Sequence, residues 1–99
     1  MDSTIFVTAE LRVNSDVDLT VARKAIEQFC SDMESESGCQ QATATYDIKD
    51  PRRVILWERY DDQSAIEAHF VMPHTQAFIA LGMTELVSAT NSHKAGEAQ

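Results

Sequence analysis

The sequence predicts an α+β fold in which helices cover one face of an antiparallel sheet. Two observations predict it. Apolar residues recur at every second position in 4–13, 40–49 and 52–60, and at helical spacing in 19–37. The turn-forming "KDPR" between two of the alternating stretches makes them hairpin partners.

The elements follow in order. "TIFVTAELRV" (4–13) is rich in β-branched and aromatic residues, with Ile5, Val7, Ala9, Leu11 and Val13 on one face. Asp18 is placed to cap the next helix, where Leu19, Ala22, Ile26, Phe29, Cys30 and Met33 form one stripe and Gly38 is the expected C-terminal stop. "QQATATYDIK" (40–49) puts Ala42, Ala44, Tyr46 and Ile48 on one face. "RRVILWERY" (52–60) alternates Val54, Leu56, Glu58 and Tyr60 with Ile55, Trp57 and Arg59. Asp61 or Asp62 caps a short helix "QSAIEAHFV", Pro73 suits the first turn of another, and Gly82 closes it. "MTELVSATN" supplies the last strand, and 93–99 reads as a disordered tail after a single domain over 1–92. The order β-α-β-β-α-β is the ferredoxin-like split βαβ arrangement. Large apolar groups on both faces of 52–60 leave Ile55 and Trp57 in need of cover if the helices take the other face. Sheet packed on sheet in a homodimer is the expected solution. Parity alone does not say which face meets the helices.

Composition narrows the function. Sixteen acids against eight bases give a formal charge of −8, which argues against nucleic acid as a partner. Cys30 and Cys39 are too widely spaced for a CxxC motif and read as free thiols. No basic segment precedes an apolar core at the start and no stretch is long enough to span a bilayer, so no signal peptide, no membrane contact and a cytoplasmic location are expected. Three glycines provide no phosphate loop, and no G-x-S-x-G elbow occurs. His69 and His74 are five apart across Pro73, which matches no established metal-ligand spacing, and no metal is expected. Cys39, just beyond a helix end, lacks the positive surroundings that would activate it.

The polar residues set among apolar ones are the informative ones. Ala65, Ile66, His69 and Phe70 share one side of the short helix, so His69 lies on or beside its packing stripe. Glu58, inward on the strand, would be costly to bury alone and could meet His69 across the layer, fixing its tautomer. A lone histidine on an apolar face is also met as a satisfied core group. The residues by themselves leave both readings open.

The stretch from "MESESGCQQ" to "VMPHTQAF" resembles the antibiotic biosynthesis monooxygenase family of dimeric α+β barrels. The resemblance rests on Glu36, Gly38 and Cys39, then Glu58 and Tyr60, His69 eleven residues after the glutamate, and Pro73 with His74. It implies the fold, a homodimer and a small-molecule substrate. Among the family's branches, haem degraders carry tryptophan where this chain has Tyr60 and an iron ligand near Ile79 or Ala80. The polyketide oxygenases differ at Leu56, Tyr60 and Ile66. Quinol monooxygenases and the enzymes that modify a quorum-signal sugar phosphate are nearer in motif.

The activity so implied is a monooxygenase that needs no cofactor and oxidises a small quinol or phenol-like aromatic with O2. In that reading His69 is the base, Glu58 orients it, and Tyr60 or His74 donates to the developing oxyanion. Tyr46, Phe70 and Phe78 line the ring-binding walls. Two alternatives are carried: proton transfer on a sugar phosphate, for which Arg12 and Arg59 would be the anion-binding groups, and a non-catalytic dimeric ligand-binding module.

Overall fold

The computed structural model describes residues 2–96. Its elements are β1 (Ile5–Val13), α1 (Leu19–Glu34), β2 (Cys39–Tyr46), β3 (Arg53–Tyr60), α2 (Gln63–Phe70), α3 (Pro73–Leu81) and β4 (Thr84–Ser92). The strands form one four-stranded antiparallel sheet in the order β2-β3-β1-β4. The predicted ferredoxin-like class is the one formed.

The alternation read from sequence decides the faces. Ile5, Ala9, Leu11, Val13, Val54, Leu56, Glu58 and Tyr60 are buried, and the buried stripe of α1 (Ala22, Ile26, Phe29, Cys30, Met33) packs with them in one core. Ile55, Trp57 and Arg59 therefore lie on the open face, where Trp57 is 47% exposed and its indole N–H donates to Thr45 Oγ1 at 2.9 Å. Asp18 caps α1 through Val21 N–H, and Asp62 caps α2 through Ala65 N–H. Arg52 donates to the carbonyls of Asn14 and Val17 and so ties the β1–α1 loop to the hairpin turn.

Gly82 closes α3 in the left-handed region at φ 64°, as expected. Gly38 does not end α1: that helix stops at Ser35, and Gly38 has no positive φ. What Gly38 supplies is space, since a Cβ there would stand 2.5 Å from Ala65 Cβ on α2. Ile48 is also corrected. It lies beyond β2, where the turn begins, and is fully exposed. Strand β4 ends at Ser92, and of the segment 93–99 read as a tail, residues 97–99 lie outside the described residues.

Strand β4 is exposed along nearly its whole length. Helices α2 and α3 stand off this half of the sheet, and the gap beneath them is the cavity described next.

Candidate active site

A cavity of about 430 Å³ opens between the β1–β3–β4 part of the sheet and the helices. Its walls are apolar for most of their extent: Leu11 and Leu56 from the sheet, Phe29 from α1, and Phe70 and Phe78 from α2 and α3. The rings of Phe29 and Phe78, both in the lining, stack one over the other at 4.3 Å with 3° between their planes. Glu58, Tyr60, His69 and Thr75 are polar groups in its lining, with Thr84 and Asn91 on β4. Among the described residues, no lysine or arginine lines it.

His69 is in the last turn of α2 and is 5% exposed. Its ring sits among those of Tyr60, Phe70 and Phe29, with centroids at 5.6, 5.3 and 5.9 Å. Its Nδ1 lies 2.9 Å from Glu36 Oε2 and 3.3 Å from Thr75 Oγ1. Opposite the Glu36 carboxylate Nδ1 is the nitrogen placed to donate, and in that tautomer Nε2 carries the lone pair. The same carboxylate oxygen of Glu36 is 2.5 Å from Nε2 of His74, at the start of α3.

The pairing expected between Glu58 and His69 is not the one formed. Glu58 Oε1 accepts the Tyr60 hydroxyl proton at 2.5 Å. Both side chains project from β3 to the same face two residues apart, so this contact is local. His69 turns instead toward the segment between α1 and β2, because Gly38 lets α2 approach there. Burial pushes the Glu58 carboxyl up from its usual range, opposed by the Tyr60 hydrogen bond and by His69, and reinforced by Glu36. Burial also raises the Tyr60 phenol, with Glu58 adding to it. Tyr60 stays neutral, with its proton engaged by Glu58, so it is not a free oxyanion donor.

Two other sequence assignments move. Tyr46 is not at the cavity: its hydroxyl donates to Glu27 at 2.7 Å and Arg23 stacks on its ring at 4.1 Å. His74 supports the cavity from behind through Glu36 and does not line it. Phe70 and Phe78 line it as expected. Glu36 and Thr75 carry the arrangement yet were given no role from sequence. Glu36 enters the sequence reading only among the residues that carry the family resemblance, and nothing in its spacing of 33 residues from His69 signals a contact. Cys30 and Cys39 are buried free thiols, each pushed up to about 11 by burial, which suits packing and not nucleophilic attack.

Fold and site together define a class of small α+β proteins that bury a histidine–carboxylate cluster beside an apolar cavity under a single sheet. Residues 4–81 match the family model of antibiotic biosynthesis monooxygenase, and the chain belongs to that family. The uncharacterized protein YjcS of Bacillus subtilis (strain 168) is 30% identical over 70 residues, covering 71% of this chain and 67% of YjcS. The solved structure of protein YJCS superposes with a TM-score of 0.85 at 27% identity, over 93% of this chain and 99% of that one. Rv0793 from Mycobacterium tuberculosis superposes with a TM-score of 0.81 at 23% identity, over 98% of this chain and 100% of its own. A third structure, named antibiotic biosynthesis monooxygenase, gives 0.83 at 15% identity, over 92% and 98%. At their identities the last two show a shared fold. Among the described residues, no helix is long and apolar enough to cross a membrane.

Proposed function

We propose that the protein is a monooxygenase that needs no cofactor and acts on a small, uncharged quinol or phenol-like aromatic. One observation carries the reading: a buried histidine, held at Nδ1 by a buried carboxylate, stands in the wall of a mostly apolar cavity lined, among the described residues, by no lysine or arginine. Ground-state O2 is a triplet, so the substrate must donate the first electron itself, and a quinol does so readily once deprotonated. His69 takes the hydroxyl proton on Nε2, and Glu36 stabilises the imidazolium that results. The substrate supplies all four electrons: one oxygen atom enters its ring and the other leaves as water. Glu58, fixed by Tyr60 at one oxygen, presents the other to a substrate hydroxyl. Phe29 and Phe78 hold the ring flat.

The sugar-phosphate alternative loses the groups it needs. Arg12 pairs with Asp50 at 2.7 Å, and Arg59 leans over Phe6 on the open face of the sheet; neither lines the cavity. The open face, with Phe6, Ile55 and Trp57 on it, supports a homodimer through sheet-on-sheet packing.

Oxygen uptake with a panel of reduced naphthoquinols, in chelator-treated buffer without flavin and with auto-oxidation subtracted, tests the activity. Saturable uptake by wild type is expected, with a loss of about 100-fold or more in kcat for His69→Ala. Undiminished turnover in that variant would refute the base. Tight reversible binding without turnover would leave the ligand-binding module.

A further inference from the structure

Three elements converge on Glu36: the turn after α1 that carries it, the last turn of α2 with His69, and the first turn of α3 with His74. One ligand atom from each of the three side chains falls within 4.8 Å of the others. Two imidazole nitrogens and one carboxylate oxygen are a donor set that zinc takes with an open position left over, and that other divalent transition metals share. Bonds of about 2.0–2.1 Å put neighbouring donors roughly 2.9–3.4 Å apart at angles between square and tetrahedral. The 2.9 Å from His69 Nδ1 to Glu36 is already in that range. The 2.5 Å from His74 Nε2 to Glu36 must widen, and His74 is the member able to yield, with 21% of its side chain exposed against 6% for His69 and 4% for Glu36. The formal charge of −8 favours cation capture.

We propose that Glu36, His69 and His74 bind one divalent transition-metal cation, for which Zn2+ is the fitting probe, and that binding reverses the tautomer of His69. Without metal, Nδ1 carries the proton and donates it to Glu36. With metal on Nδ1, the ring proton resides on Nε2, the nitrogen that otherwise offers its lone pair to the cavity. The loaded histidine is then unable to accept a proton there. This consequence for turnover rests on the function proposed above; the binding and the tautomer do not.

The test uses chelator-stripped protein. Co2+ should be retained at one equivalent per chain after gel filtration, with visible ligand-field bands that Zn2+ abolishes by displacement. His74→Ala and Glu36→Gln should each weaken Co2+ binding at least tenfold, whereas His93→Ala, altering the histidine outside the cluster, should retain it. Nitrogen-15 correlation spectra of the imidazoles should show His69 with its proton on Nδ1 in the stripped protein and on Nε2 with Zn2+. Zn2+ should lower oxygen uptake at least tenfold in parallel with occupancy. Substoichiometric Co2+, binding lost only in His93→Ala, or a His69 tautomer unchanged by Zn2+ would each overturn the proposal. Absence of oxygen uptake in the stripped protein would count against the oxygenase reading alone, since the cobalt and imidazole readouts need no turnover.

Discussion

Replacing Gly38 by alanine should destabilise the fold and dislodge His69, for a reason that is steric and not conformational. An ideal Cβ at position 38 stands 2.5 Å from Ala65 Cβ and 3.4 Å from Ala65 Cα. Non-bonded carbons prefer about 3.5–4.0 Å, so relief requires a movement on the order of 1 Å. Neither group can give way by rotating, because both are methyls fixed to backbone, and α2 must move as a body. Overpacking of this kind costs about 1–3 kcal/mol, and each kcal/mol lowers Tm by about 4–8 °C in a domain of this size. His69 is one helical turn from Ala65 and moves with it, stretching its contact with Glu36. Thermal and urea unfolding at one fixed protein concentration would measure the loss. Ala65→Gly removes the opposing methyl at a helix cost of about 1 kcal/mol. The double variant should therefore recover about 1 kcal/mol or more relative to the sum of the single changes. A Gly38→Ala protein within about 0.5 kcal/mol of wild type, or a cycle that is simply additive, would refute the close-approach argument.

Glu58→Gln should alter how stability depends on pH. Burial raises the Glu58 carboxyl in the folded state, so its contribution is fully present below the unfolded value of an ordinary carboxylate and is lost as pH rises through the raised folded value. Urea midpoints across pH 4–8 should thus move in the variant's favour as pH increases; parallel curves would show that Glu58 ionises as an ordinary carboxylate. For the proposed sheet-on-sheet dimer, wild type should scatter light as a dimer at micromolar concentration and Trp57→Glu as a monomer; a monomeric wild type would refute the dimer. Covering the exposed half of that ring, roughly 100 Å² at about 25 cal/mol/Å², contributes about 2–3 kcal/mol per protomer. A dimer that survives the change would place the interface elsewhere.

The fold was legible because its signals are local. Periods of two and of 3.6 residues, Asp18 and Asp62 as caps, and Pro73 and Gly82 at the ends of α3 each report on the few residues around them. Only the faces were ambiguous, since Leu56 and Trp57 are both large and apolar; burial of Glu58 and exposure of Trp57 settle which side the helices cover. The site was legible by half. His69 stood out as a polar residue on an apolar stripe, and Glu58 as a charge on a buried strand face, and both line the cavity. Their assumed contact was wrong because a strand-to-helix pairing depends on the lean of α2, and that lean follows from an absent Cβ at Gly38. Glu36 could not be reached by periodicity at all. It follows the helix cap in a turn, where no repeat marks which way a side chain points.

The two buried carboxylates differ for a physical reason, and the difference assigns their work. Glu36 has imidazole nitrogens from two histidines against one oxygen. Glu58 has a single phenolic donor and a mostly apolar surround, and the charge on Glu36 adds to the cost of ionising it. Glu36 therefore stands behind His69 and holds its Nδ1 by a hydrogen bond. Glu58, whose carboxyl burial pushes up, faces the cavity. Glu36→Gln should accordingly impair His69 more than Glu58→Gln does, although Glu58 is the one that lines the cavity.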